Sequence, residues 1–140
     1  MALGVGLRRL AAMATKTFKG SCKCGTVKFE ADIDISQGTA KCNCTSCWKR
    51  RWWSVRVKTE GFRSLSGEGA LSKEGGFCTK CGIVPYAHVA AAEWNDGAYV
   101  SVNVAALDDL DPRELMAAPI QLCDGRNDNW FQAPEYIAHL

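Results

Sequence analysis

The sequence predicts a mainly β fold in a single domain, on three observations. Its 140 residues suffice for one domain with a buried core. Several short segments alternate apolar and polar side chains, which is typical of strands with one buried face. Only one segment carries clear signals of a helix. No apolar run approaches the roughly 20 residues needed to span a bilayer, so a membrane-spanning protein is not expected.

The N-terminal residues 1–14 are predicted to form a disordered tail, and residues 15–140 to form the domain. The tail has no acidic residue, and its two arginines, Arg8 and Arg9, follow a short apolar stretch. That order is wrong for a secretory signal. An organelle transit peptide stays open, as does a true start at Met13. We therefore expect a cytoplasmic protein in a reducing compartment.

Four strands are predicted in the first half of the chain. A short strand over 15–19 comes first. The clearest alternation follows, with apolar residues at 27, 29, 31 and 33 and charged residues at 28, 30, 32 and 34. It predicts a half-buried strand. A second alternation over 52–58 and a short segment over 62–65 are also predicted strands.

Three further strands are predicted in the second half, over 83–89, 98–104 and 120–123. The middle one is the clearest, because its valines recur at every second position and would share one face. A turn-rich stretch follows the last of them. The strands outnumber the helices, which favours the mainly β class.

One helix is predicted from Pro112 to about Ala117. Asp111 is a suitable N-cap, and proline is favoured at the first helical position. Glu114 lies three residues beyond the cap, which is the spacing of a capping box. The helix should end before Pro119, because the residue preceding a proline disfavours helical geometry.

Cysteine is the compositional outlier, with 8 residues in the chain. Seven of them form three motifs: Cys22-x-Cys24, Cys42-x-Cys44-x-x-Cys47 and Cys78-x-x-Cys81. A disulfide scaffold would need a secretory signal, and a bridge within Cys-x-Cys would be strained. Clustering of this kind is typical of metal ligation.

The simplest partition gives two metal sites. The first and last motifs supply four thiolates for a tetrahedral site, in which Gly25 and Gly82 would relax the backbone at positive φ. The middle motif supplies three thiolates to a second ion. Soft sulfur ligands favour zinc over magnesium or calcium, and ligand type alone is compatible with iron.

Three side chains could complete the three-cysteine site. Cys123 lies in an apolar strand segment, where a lone cysteine is more typical of the core. His88 shares a predicted strand with Tyr86, and His139 lies next to the C-terminus. The favoured interpretation is an open or exchangeable fourth position, which is the mark of a reactive zinc.

Three thiolates would give the zinc complex a net negative charge, so it would be a weak Lewis acid. Such a site better suits binding an incoming thiol, which coordination deprotonates near neutral pH. The run Lys49-Arg50-Arg51 could stabilise the complex and attract an acidic thiol, or simply be a solvated basic face. Trp48 and Trp52 could wall the site or serve packing alone.

The motifs resemble those of the glutathione-dependent formaldehyde-activating enzyme family, which includes centromere protein V. The resemblance covers about residues 16–131. It rests on three stretches, Gly20–Gly25 with Val27–Glu30, Cys42–Cys47, and Phe77–Gly82. It implies a tent-like arrangement of small antiparallel sheets around two zinc sites. Motif matching assigns the structural zinc to Cys22, Cys24, Cys78 and Cys81, and the catalytic zinc to Cys42, Cys44 and Cys47.

The resemblance also implies a reaction: the reversible addition of glutathione to formaldehyde, giving S-(hydroxymethyl)glutathione, a carbon–sulfur lyase activity. The expected cofactors are two Zn²⁺ per chain, and the expected partners are a small thiol and an aldehyde. The segment 71–76 is shorter than is usual in the family, so an altered pocket is expected. The alternative is a non-catalytic, zinc-stabilised module that binds protein or nucleic acid, although a net charge of +2 counts against nucleic acid.

Overall fold

The computed structural model describes residues 14–140. The predicted N-terminal tail therefore lies, apart from Ala14, outside the described residues. The strands are β1 (Lys16–Ser21), β2 (Lys28–Ile33), β3 (Thr39–Cys42), β4 (Trp53–Lys58), β5 (Phe62–Ser66), β6 (Tyr86–Val89), β7 (Tyr99–Asn103) and β8 (Ile120–Cys123). The α-helices are α1 (Thr45–Arg50) and α2 (Pro112–Ala117). Neither of these helices is long and apolar enough to cross a membrane.

The strands form two sheets, which confirms the predicted mainly β class. The smaller sheet has the order β1-β2-β5 and is antiparallel throughout. The larger has the order β6-β7-β4-β3-β8. Its pairings are antiparallel except the last, since β8 runs parallel to β3. Because the pair is parallel, the carboxyl ends of β3 and β8 lie side by side at the same end of the sheet.

The core lies where the apolar faces of the two sheets meet. The alternation predicted for β2 is confirmed, since the three apolar side chains of the strand and that of Val27 directly before it are all buried. An aromatic cluster joins the sheets: the Phe29 ring of β2 lies 5.3 Å from the Tyr86 ring of β6, edge to face. Phe62 of β5 stacks on Phe29 at 5.5 Å. Valines of β4 and β7 complete the core: Val55, Val57, Val100 and Val102.

Two predicted elements differ in detail from the observed ones. The strand predicted over 83–89 begins only at Tyr86, because Pro85 has no N–H to donate to a ladder. The helix α2 has the predicted bounds, but the predicted capping box is wrong. The Asp111 carboxylate accepts a hydrogen bond from Arg113 N at 2.8 Å. The Glu114 carboxylate pairs instead with Lys16 of β1.

The helix α1 was not predicted. No residue of α1 is buried. A helix without a buried face needs no apolar periodicity, which is the signal that would have predicted it. Local hydrogen bonds define its ends instead. Cys44 is the N-cap, and its Sγ accepts a hydrogen bond from Cys47 N. At the other end Arg51 adopts the left-handed conformation, φ 54°, which terminates the helix.

Candidate metal centres

The first candidate site is the four-cysteine cluster, formed by Cys22, Cys24, Cys78 and Cys81. Cys22 and Cys24 follow β1, and the other pair lies in the loop between β5 and β6. All four sulfurs lie within 4.8 Å of one another. The Cys22–Cys24 and Cys24–Cys78 sulfur distances are 3.6 and 3.8 Å. A tetrahedral zinc with Zn–S bonds of about 2.3 Å has sulfur–sulfur edges of about 3.8 Å, so the cluster fits such an ion.

Two glycines shape the turns that present these sulfurs. Gly25 and Gly82 have φ of +78° and +81°, as predicted from their place after each pair. In each turn the glycine N–H bonds back to the first cysteine of its pair: Gly25 N to Cys22 O at 3.1 Å, and Gly82 N to Cys78 O at 2.7 Å. The backbone therefore forms two similar knuckles.

Local hydrogen bonds prepare part of this cluster for ionisation. A hydrogen bond with the Thr26 hydroxyl, at 3.2 Å, is the main reason that the pKa of Cys24 falls to about 6. The backbone amide of Ile83 lowers the pKa of Cys81. Burial instead raises the pKa of Cys78. The cluster thus favours ionised sulfur at Cys24 at neutral pH and eases ionisation of Cys81, and the ionised thiolate is the state that ligates a metal.

The second candidate site is the triad, formed by Cys42, Cys44 and Cys47. Cys42 ends β3, Cys44 caps α1, and Cys47 lies in the first turn of that helix. The three sulfurs lie within 4.8 Å of one another. Cys42 Sγ accepts a hydrogen bond from Cys44 N at 3.4 Å, and Cys44 Sγ accepts one from Cys47 N at 3.5 Å. The strand-to-helix turn therefore points amide donors at its own sulfurs.

The three triad thiols differ in how readily they ionise. Burial raises the pKa of Cys47 to about 12 and is also the main cause of the raised pKa of Cys42. Burial opposes ionisation of Cys44 as well, but hydrogen bonds from the Cys47 amide and from both neighbouring thiols outweigh it and lower its pKa. A metal that binds all three sulfurs must therefore displace protons from Cys42 and Cys47.

None of the three predicted candidates for a fourth ligand joins the triad. Within residues 14–140, no further Cys, His, Asp or Glu lies within 4.8 Å of all three sulfurs. Cys123 pairs in register with Cys42 across the parallel β3–β8 ladder but stays outside the group. His88 lies on β6, with Nε2 3.4 Å from Glu68. The His139 ring packs on Trp48, with centroids 4.8 Å apart.

The loop after β8 forms one wall of the triad, which was not predicted. Asn43 and Asp124 are both buried, and Asn43 Nδ2 donates to Asp124 Oδ1 at 2.7 Å. Arg126 N donates to Asn43 Oδ1 at 3.0 Å. A Cβ at Gly125 would lie 2.6 Å from Cys42 Sγ, so only glycine fits there without a shift. No sequence signal connects these segments, because the parallel pairing joins residues about 80 positions apart.

A cavity of about 190 Å³ opens beside the triad. Three tryptophans and two cationic side chains surround it together with two of the triad sulfurs. Its lining residues are Lys41, Cys42, Cys47, Trp48, Arg51, Trp52, Trp53 and Leu140. Trp48 and Trp52 thus wall the site, which was one of the two roles considered for them. Lys41, Trp53 and Leu140 were not predicted, since nothing in the sequence places them near the triad.

The basic run Lys49-Arg50-Arg51 divides between the cavity and the surface. Of these three residues only Arg51 lines the cavity. The Arg50 guanidinium lies 5.3 Å from the Trp52 ring and donates to Ser46 Oγ at 3.0 Å. Lys49 is exposed to solvent. The cations that line the cavity are therefore Arg51 and Lys41 of β3, while the charge of Arg50, outside the lining, partly offsets the burial that raises the pKa of Cys47.

Comparison with known proteins adds a family to this geometry. A family model described as glutathione-dependent formaldehyde-activating enzyme matches residues 17–122, a range that includes every cysteine of both candidate sites. A crystal structure of a Rhodobacter sphaeroides protein superposes with a TM-score of 0.56 at 29% sequence identity. The alignment covers 73% of this chain and 98% of that one. No curated protein matches the chain.

Proposed function

Since the chain belongs to the glutathione-dependent formaldehyde-activating enzyme family, we propose that it is a zinc-dependent carbon–sulfur lyase. It adds a thiol, glutathione in the first instance, reversibly to formaldehyde or another small aldehyde. The observation that carries the proposal is a compact set of three sulfurs with no fourth ligand among the described residues, opening on a cavity. An all-protein structural site would be closed by four ligands.

The two sites take different roles in this proposal. The four-cysteine cluster draws one pair of ligands from the loop between β1 and β2 and the other from the loop between β5 and β6, and it would hold a structural zinc. Its geometry matches a tetrahedral ion with no position left for a substrate. The triad would hold the catalytic zinc through Cys42, Cys44 and Cys47. Both sites lie in one zinc-binding domain, for which we propose the bounds 15–140.

The chemistry follows from the triad and its walls. Zinc held by the triad would supply a position at which a thiol loses its proton near neutral pH. The substrate sulfur then attacks the aldehyde carbon: a C–S bond forms, the C=O π bond breaks, and the oxygen takes up one proton. The thiol has released one proton, so the addition is balanced and needs no oxidant. The reverse steps return thiol and aldehyde.

The chain's own residues assist in three ways. The amides of Cys44 and Cys47 donate to sulfurs of the triad and stabilise their negative charge. Lys41 and Arg51 place positive charge in the lining of the same cavity, and the charge of Arg50 favours the ionised form of Cys47. The three tryptophans give the cavity apolar walls, and a less polar surrounding strengthens these electrostatic interactions.

NMR exchange spectroscopy on formaldehyde, glutathione and their adduct tests the proposal. Protein loaded with two zinc ions should accelerate the exchange, and Cys44→Ser should abolish the acceleration. Cys123→Ser removes a neighbouring thiol outside the triad and serves as the matched control, with acceleration retained. Exchange that is no faster with fully loaded protein, or equally fast with Cys44→Ser, would rule the proposal out.

A further inference from the structure

One side chain of the triad segment is tied to the loop that follows β8. Asn43 lies between Cys42 and Cys44, and Asp124 directly follows β8. Asn43 Nδ2 donates a hydrogen bond to Asp124 Oδ1 at 2.7 Å, although the two residues are 81 positions apart in the chain. Both are buried, and a buried polar group is costly to leave without a partner. We call Asn43 and Asp124 the clamp pair, because their hydrogen bond joins the two segments.

The Asp124 carboxylate has amide donors at both of its oxygens. Asn127 Nδ2 lies 2.9 Å from Oδ2 and 3.1 Å from Oδ1, in addition to the bond from Asn43. Asn127 N also donates to the Asp124 main-chain oxygen at 3.2 Å. Hydrogen bonds to an ionised acceptor are roughly twice as strong as those between neutral groups. The turn over 124–127 therefore presents a fixed carboxylate to Asn43.

The polar groups of Asn43, in its backbone and its side chain, all contact the segment 123–126. Its N–H donates to Cys123 O at 3.2 Å, and its side-chain amide donates to Asp124. Its side-chain oxygen accepts from Arg126 N at 3.0 Å, and its main-chain oxygen accepts from Arg126 Nε at 3.2 Å. These partners lie on both sides of Gly125 in the chain. Asn43 thus fixes the position of Gly125 relative to the triad segment.

Gly125 lies against a sulfur of the triad. A Cβ at Gly125 would lie 2.6 Å from Cys42 Sγ, so the glycine backbone passes directly beside that sulfur. Burial raises the pKa of Cys42, whereas hydrogen bonds from the amides of Cys44 and Gly125 act to lower it. Cys44 and Cys47 are positioned by α1, but Cys42 ends β3. A distant segment therefore contributes to the surroundings of the Cys42 sulfur.

We propose that Asn43 and Asp124 are positioning residues of the triad, which hold Gly125 against Cys42 Sγ and so fix that sulfur for a bound metal. The inference rests on the proposed function, in which the triad holds the catalytic zinc. Hydrogen-bonding partners that orient the ligands of a metal typically change its affinity by about 10–100-fold when they are lost. The clamp pair orients Cys42 through Gly125, so we expect a loss near the lower end of that range.

Exchanging the two side chains provides the first test. Asn43→Asp places two carboxylates in contact, and Asp124→Asn turns an amide N–H group toward either Asn43 or Asn127, which are both donors. Each single variant should weaken zinc binding at the triad by about tenfold. The double variant Asn43→Asp/Asp124→Asn can form every hydrogen bond of the parent with the charge moved to position 43, so it should restore most of the affinity.

Competition of the zinc-loaded full chain with a chromophoric chelator measures these affinities. Asn95→Asp is the matched control, because it makes the same exchange at a loop asparagine. Asn95 bonds only within the loop between β6 and β7, to Ala90, Ala92 and Gly97. We expect this variant to bind zinc at the triad as tightly as the parent does.

A second measurement reports the contact itself and does not depend on catalysis. In the chain loaded with cadmium-113, NMR detects scalar coupling between the metal and an amide proton that donates to a ligand sulfur. The Gly125 amide should show this coupling in the parent and in the double variant, but not in either single variant. Val27 N donates to Cys22 Sγ at 3.3 Å in the four-cysteine cluster. Its coupling should persist in every variant and shows that the chain is folded.

The outcomes separate the clamp pair from the proposed function. If glutathione exchange is catalysed while all variants bind zinc equally and keep the Gly125 coupling, the positioning role is wrong and the function stands. If exchange is absent in the parent while the single variants lose affinity and the double variant regains it, the positioning role stands and the lyase function fails. A double variant as weak as the single ones, or loss of the Val27 coupling together with that of Gly125, would assign the pair to folding and overturn the proposal.

Discussion

At the scale of single residues, Cys44 has two roles. Its Sγ belongs to the triad, and the same atom caps α1 by accepting from Cys47 N. Burial raises the pKa of both neighbouring thiols, whereas the amide and thiol donors around Cys44 lower its own. Cys44 is therefore the triad sulfur that carries charge most readily.

Substituting Cys44 should separate metal binding from folding. Serine is itself a favoured N-cap, so Cys44→Ser keeps α1 while removing one ligand. We expect one zinc per chain instead of two, with a thermal midpoint within a few degrees of the unmodified protein. Cys22→Ser should instead abolish folding, since a structural zinc contributes on the order of 10 kcal/mol. Zinc analysis and circular dichroism check both, and an unfolded Cys44→Ser protein would contradict the assignment.

The absence of a side chain at Gly125 leaves the space that Cys42 of the triad occupies. An added Cβ would lie 2.6 Å from Cys42 Sγ and from the Trp130 ring. Gly125→Ala should therefore displace Cys42, cost about 1–3 kcal/mol in stability, and weaken zinc binding at the triad. Competition with a chromophoric chelator measures this. Gly69→Ala is the matched control, because a Cβ there has no neighbour within 4 Å. Equal zinc affinity in both variants would refute the argument.

At the scale of elements, local sequence signals predicted individual strands and one helix, but they did not predict which distant strands pair. The alternation of β2, the bounds of α2 and the bounds of β8 were predicted from side-chain period and caps. The parallel β3–β8 pairing has no local signature, and α1 depends on a sulfur cap that helix rules do not include. The capping box was wrongly predicted for a similar reason: the Glu114 carboxylate pairs with Lys16 of β1, a long-range contact that local rules do not include.

The pairing of β2 with β5 gives a prediction about acid stability. Asp32 of β2 forms a two-pronged ion pair with Arg63 of β5, at 2.9 and 3.1 Å. Hydrogen bonds from Arg63 and then Thr17 lower the pKa of Asp32 from 3.8 to about 2. A lowered pKa in the folded state stabilises the protein above pH 4, and this contribution is lost as the pH falls toward 2.

Asp32→Asn should therefore destabilise the protein at pH 7 by about 0.5–1 kcal/mol, the size expected of a partly exposed pair. Urea unfolding of the zinc-loaded proteins at pH 7 measures the difference, and NMR titration of the Asp32 carboxyl measures its pKa. Glu60→Gln, which removes a carboxylate from the neighbouring turn, is the control. Equal stability of Asp32→Asn and the parent at pH 7, or an Asp32 pKa at its ordinary value, would contradict the linkage.

At the scale of the whole molecule, the two cysteine clusters were predictable from the sequence and the residues around them were not. Spacing alone identified all seven clustered cysteines and their division into four and three, because local motifs place sulfurs together. The residues that line the cavity could not be predicted without the fold. Lys41, Gly125 and Leu140 meet at the triad only through sheet pairing and the path of the C-terminal segment. The family match agrees with the motifs but does not identify the side chains that contact a substrate.

Cobalt substitution tests the proposal that the triad holds a metal with a position for an external thiol. Cobalt(II) replaces zinc at both sites, and glutathione is added while the sulfur-to-cobalt charge-transfer absorbance is recorded. We predict a saturable increase equivalent to one added sulfur per chain, which is absent in Cys44→Ser and present in Cys123→Ser. An absorbance that glutathione leaves unchanged in fully loaded protein would contradict the claim.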